Sequence, residues 1–136
     1  MMKSILLFVA IALQACGSSP PPTFKFVGSS AAPAAEGSAE VTAGPNGNSR
    51  LMVTVRHLAP PERLVPGATA YVVWVTPVAD GTPQNVGALR LDSNLTGTLD
   101  TVTPLHDFVM TVGVEADPMA QKPTNTPVIT STISRK

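Results

Sequence analysis

From Ser38 onward the chain alternates with a period of two. Leu51, Val53 and Val55 are interleaved with Met52, Thr54 and Arg56, and Phe108, Met110, Val112 and Val114 with Val109, Thr111, Gly113 and Glu115. Such a pattern sorts side chains onto the two faces of a pleated strand, whereas a helix needs apolar residues three and four apart. Val and Thr are abundant in these runs and suit a half-buried sheet. No stretch carries a helical period. Pro45-Asn46-Gly47-Asn48, Asp80-Gly81, Asp92-Ser93-Asn94 and residues 104–107 separate the runs. Asn-Gly and Asp-Gly supply the positive backbone angles that tight hairpins demand. The spacing predicts strands over 38–43, 50–57, 69–76, 85–91, 95–102, 107–115 and 127–133, seven in all.

Two connections are too long for hairpins. Residues 59–67 (APPERLVPG) hold three prolines and are expected to cross from one sheet to another, and residues 116–126 (ADPMAQKPTNT) deliver the chain to its last strand. This order resembles an immunoglobulin or fibronectin type III sandwich, an all-β fold of two antiparallel sheets. With one cysteine in the chain, the buried disulfide of antibody domains cannot form. Two aliphatic sheet faces must then supply the core. Residues 23–27 (TFKFV) alternate weakly, as an additional edge strand or as part of a tether.

Met1-Met2-Lys3 gives a positive start, residues 5–13 (ILLFVAIAL) are an unbroken apolar run, and Gln14-Ala15-Cys16 follows. That is the layout of a secretory signal, and the run is less than half of the about 20 residues that a membrane-spanning helix needs. Leu13-Gln14-Ala15-Cys16 resembles the lipobox of bacterial lipoproteins, which implies cleavage before Cys16 and attachment of diacylglycerol to its sulfur. A thioether cannot act as a nucleophile, so Cys16 reads as the lipidation site. The predicted organisation is a signal peptide over 1–15, an acylated Cys16 with a Gly, Ser, Pro and Ala-rich tether to residue 37, and a β-sandwich domain over 38–136. As a coil, the stretch from Cys16 to Ser38 would reach about 25 Å. Gly17 stands where an Asp would imply retention in the inner membrane, so the expected address is the outer membrane of the cell envelope. Nine basic residues balance nine acidic ones, with no basic stripe to neutralise phosphates, and nucleic acid is excluded as a partner.

Tyr71-Val72-Val73-Trp74-Val75, Asp80-Gly81-Thr82-Pro83, Val86-Gly87-Ala88-Leu89 and Val112-Gly113-Val114-Glu115, followed by residues 123–128, are similar to the extracytoplasmic C-terminal domain of anti-sigma-K factors. The resemblance spans residues 50–133 and implies a small β-sandwich. It does not carry over sigma-factor binding, because that family's sigma-binding segment is cytoplasmic and precedes a transmembrane helix, neither of which is present here. A regulatory or sensory partner in envelope signalling is the alternative this likeness suggests.

No G-x-S-x-G elbow, phosphate loop, H-E-x-x-H or C-x-x-C occurs, and Asp92, Asp100 and Asp107 are scattered singly, so no catalytic residue, metal site or cofactor is assigned. His57 shares the parity of Leu51, Val53 and Val55 and is expected to close a strand end with a hydrogen bond, while His106 is expected to be exposed in a turn. His57, His106, Met52, Met110 and Met119 are ligand types that Cu(I) accepts. Their parities argue against a periplasmic copper site, since Met110 should point into the core and Met52 out. If Tyr71, Val73 and Val75 face the core, Val72 and Trp74 face outward beside Val109 on a neighbouring strand. Exposed, these three would form an apolar patch for an envelope-protein or cell-wall partner. Otherwise Trp74 lies over Gly113 or Gly87, stacks on Arg90, or is roofed by residues 116–126. The sequence thus predicts a non-catalytic, lipid-anchored binding or structural module.

Overall fold

The computed structural model describes residues 17, 19–78 and 81–135. The predicted signal peptide, Cys16 and Asp80 lie outside them. Nine strands follow in chain order: β1 (Thr23–Val27), β2 (Glu36–Ala43), β3 (Ser49–Arg56), β4 (Ala70–Pro77), β5 (Gln84–Ala88), β6 (Arg90–Leu91), β7 (Gly97–Thr103), β8 (Asp107–Glu115) and β9 (Ile129–Ser134). They form one sheet in the order β1-β2-β3-β7-β6 and a second in the order β5-β4-β8-β9, with every pair antiparallel. Without β1, the sheets have the A-B-E-D and C′-C-F-G orders of an immunoglobulin-like sandwich.

β3 shows how the alternation becomes packing. Its residues are buried and exposed in strict turn from Ser49 to Arg56, so Leu51, Val53 and Val55 enter the core while Arg50, Met52 and Thr54 face solvent. From the opposite sheet come Tyr71, Val73 and Val75 of β4, with Phe108, Met110, Val112 and Val114 of β8. Each such aliphatic side chain removed from water contributes about 1.5–3 kcal/mol, and between the sheets these form one continuous core. The connection 59–67 carries the chain from β3 in the first sheet to β4 in the second, as predicted, with a single helical turn at Pro61–Leu64.

Two features depart from the seven-strand reading. The predicted strand 85–91 divides at Leu89 into β5 in one sheet and β6 in the other, after a register shift opposite Val73 and Trp74 and a positive φ of 135° at Gly87. Residues 23–37 also belong to the fold. β1 pairs with β2 along its whole length, Phe26 and Ala35 are buried, and Ser29 N donates to Val128 O at 2.8 Å. Folded chain thus begins by Thr23, ahead of the predicted domain start at 38. Phe24 and Phe26 decide this: with them, a short weakly alternating segment has enough apolar area to dock on the core.

Candidate functional site

The candidate patch lies on the outer face of the β5-β4-β8-β9 sheet. Trp74 stands between Asn85 of β5 and Thr111 of β8, and Val72 between Ala88 and Gly113. Both side chains point away from the core, as the parity of β4 requires. Neither reaches solvent: Trp74 is 1% exposed and Val72 is 0% exposed. Only Val109 keeps partial exposure. Val72, Trp74 and Val109 therefore do not form the exposed patch, and of the two readings the sequence left open the covered one holds.

Residues 116–126 close it. Asn85 Nδ2 donates to Pro118 O and Ala120 O, each at 3.0 Å, which ties the middle of this connection to the edge strand β5. Its far end is tied to β8, where Thr124 N donates to Glu115 Oε1 at 3.0 Å, the Thr124 hydroxyl donates to Glu115 Oε2, and Asn125 Nδ2 donates to Val114 O. A segment fixed on β5 and on β8 must cross β4 between them, and Trp74 lies beneath it. The indole lies over Gly113: a methyl group there would stand 3.5 Å from both Trp74 Nε1 and Glu115 Oε1, an ordinary van der Waals contact. The indole Nε1 has no hydrogen-bond partner among the described residues. Arg90, offered by the sequence as a stacking partner, is in the other sheet.

Sequence reasoning missed Glu115. Its carboxylate is 1% exposed on the outer face and anchors the roof through Thr124 rather than through a cation. The legible signal was the run Tyr71-Val72-Val73-Trp74-Val75, five apolar residues without a polar one, which reads as a strand buried on both sides. Trp74, Gly113 and Glu115 meet on this outer face, while Tyr71 faces the core. Inside the sandwich, the Tyr71 hydroxyl donates to Ala59 O and so holds the crossing connection. Burial, with Glu62 nearby as a lesser cause, pushes its pKa up to about 12.

Between β5 and the roof runs an open groove of about 730 Å³, lined by residues 82–88 on one side and by Pro118, Met119 and Gln121 on the other. The strand edge facing it is already capped: Val86 O accepts from the Thr101 hydroxyl, and Gly87 N donates to Asn85 Oδ1. An incoming strand finds few free backbone groups there.

The residues weighed for copper are dispersed. Met110 is in the core, Met52 is on the outer face of the first sheet, and Met119 is on the roof. His57 and His106 lie at opposite ends of the sandwich. His57 does not close its strand end with a hydrogen bond as expected; a φ of 61° ends the alternation, the side chain is exposed, and Nε2 lies 3.8 Å from Glu36 Oε1. His106 is exposed and bonds Gly47 O through Nε2 at 2.8 Å. Asp100 pairs with Arg50, whose guanidinium holds that carboxyl below the usual carboxylate range. No family model, curated protein or solved structure matches this chain.

Proposed function

We propose that this chain is a non-catalytic, lipid-anchored β-sandwich module displayed in the bacterial cell envelope, on the outer rather than the inner membrane. The observation that carries the reading is the N-terminal pattern: a charged start, the apolar run 5–13 and Leu13-Gln14-Ala15-Cys16. Where folded chain begins gives that pattern a geometry. Between Cys16 and Thr23 stand only residues 17–22, ending in Pro20-Pro21-Pro22, and Pro22 O accepts from Val41 N at 3.1 Å. The stand-off from the bilayer then shrinks to about 15 Å as a coil. One end of the sandwich faces the lipid headgroups. Several acyl chains on one terminus, each methylene worth about 0.8 kcal/mol, hold such a domain firmly.

With Trp74 covered, the broad surface left to a partner is the outer face of the β1-β2-β3-β7-β6 sheet. It carries the pairs Arg50–Asp100 and Arg56–Glu36 together with exposed Met52 and Val102. The test is direct. Mass spectrometry of the native chain should find residue 16 at the N-terminus bearing acyl groups, and Cys16→Ser should move the protein from the membrane to the soluble fraction. An unmodified thiol on an uncleaved chain overturns the reading. Recovery of membrane regulators, rather than cell-wall or outer-membrane components, with the anchored protein would favour the signalling alternative.

A further inference from the structure

The turn between β6 and β7 reads Asp92-Ser93-Asn94-Leu95-Thr96. Of the five asparagines in the chain, only Asn94 is followed two places later by a hydroxyl residue with no proline between them. That spacing is the acceptor pattern for N-linked glycans, whose place is a surface loop of an exported protein.

The structure separates Asn94 from Asn85 and Asn125, while the sequence spacing separates it from Asn46 and Asn48. Residues 92–95 are exposed. The amides of Asn85 and Asn125 are committed as donors to backbone carbonyls, whereas the Asn94 amide makes no hydrogen bond among the described residues. Asp92 Oδ1 instead accepts from Asn94 N at 2.9 Å and from Thr96 N at 3.0 Å, so the turn is held through the backbone and the amide is left outside it. The hairpin is also cheap to open. β6 is two residues long at the edge of its sheet, and so short a pairing opens locally at low cost. Opening breaks the bonds to Asp92 Oδ1 and frees that carboxylate, while the Thr96 hydroxyl makes no hydrogen bond among the described residues and needs no release.

The turn lies at the end of the sandwich away from the tether. Leu58 N donates to Leu95 O just beyond the end of β3, while β3 starts beside β2 residues near Pro22. Eight residues of strand put roughly 25 Å between the two ends.

We propose that Asn94 is an N-glycosylation site, taking an oligosaccharide from a lipid-diphosphate-linked donor through a membrane oligosaccharyltransferase. In the transfer, Asn94 Nδ2 forms a bond to C1 of the first sugar and gives up one proton to a base of the transferase. The C1–oxygen bond to the diphosphate breaks, and the lipid diphosphate leaves with its electron pair. No oxidation or reduction is involved. The inference rests on the chain being exported.

The experiment is peptide mass spectrometry of the full chain isolated from its own cells, reading the N-terminus and the Asn94 peptide in the same sample, for wild type, N94Q, T96V and T96S. The expected result is an Asn94 peptide heavier by a whole number of sugar residues, with the increment lost in N94Q and T96V and retained in T96S. The Asn94 side chain makes no hydrogen bond among the described residues that N94Q would break, so loss of the increment cannot be put down to misfolding. An unmodified Asn94 in chains that carry an acylated Cys16 overturns this inference and leaves the anchor reading standing. An unmodified Asn94 on chains with an intact leader overturns both.

Discussion

The two outer faces of the sandwich are built from the same alternating strands and meet different fates. On the β1-β2-β3-β7-β6 sheet the outward residues of β3 are Arg50, Met52, Thr54 and Arg56, all exposed. On the β5-β4-β8-β9 sheet the central outward residues of β4, Val72 and Trp74, are buried, with residues 116–126 tied across this face, while Ala70 and Thr76 at its ends are half-buried. A one-sided strand can leave its second face to water only if that face is polar. The middle of β4 is apolar on both faces, and the connection that delivers the chain to the last strand is used as a third layer over it. The comparison shows that an apolar outward pair on a strand marks intramolecular cover as readily as a partner site.

Substitution at Trp74 gives the largest contrast. Trp74→Ala is expected to cost about 3–5 kcal/mol in urea unfolding, while Met52→Ala at the corresponding outward position of β3 stays within about 0.5 kcal/mol. Equal costs would break the distinction between the faces. As the only tryptophan, Trp74 also reports directly on the cover, and its fluorescence should resist acrylamide quenching in the folded protein. Next in size is the latch. Glu115→Ala removes the acceptor of Thr124 N and the Thr124 hydroxyl and is expected to cost about 1–3 kcal/mol. Trp74 quenching should rise with it, and Glu115→Gln, which keeps one acceptor, should restore much of the protection. Unchanged quenching in Glu115→Ala would show that the roof stands without the latch.

Tyr71, on the inward face of β4, gives the smallest effect and sharpens the comparison from the other side. It is the only tyrosine, so ultraviolet absorbance follows its ionisation alone, with a midpoint expected at about 12 in the fold against about 10 in the unfolded chain. Because the fold favours the protonated phenol, that contribution to stability is whole below about pH 10 and is lost as the pH rises through about 12. A midpoint near 10 in the folded protein would mean that the Tyr71 hydroxyl is wet and that the bond to Ala59 does not hold the crossing connection.

Much of the fold was legible because sheet burial imposes a period that side chains cannot disguise. β3 and β8 follow their alternation, and the crossing at residues 59–67 follows from its prolines. The candidate site was legible in direction but not in exposure. Parity placed Val72 and Trp74 outward correctly, yet nothing local to β4 says that Asn85 and Glu115 will pin a distant connection across them. His57 misled for the opposite reason: one positive φ turned the side chain out of the phase that its neighbours predicted. The split of residues 85–91 between two sheets was hidden likewise, because a backbone change at Gly87 leaves the side-chain pattern on either side intact.

The order of residues alone therefore determined that this chain is all-β, that it crosses between sheets after β3, and which set of side chains on β3 and β8 meets in the core. These follow from local periodicity and turn chemistry. Tertiary structure alone decided where the fold begins, which sheet receives β6, and that Trp74 is covered. Each of these depends on contacts between segments far apart in the chain, whose free energies no local pattern records.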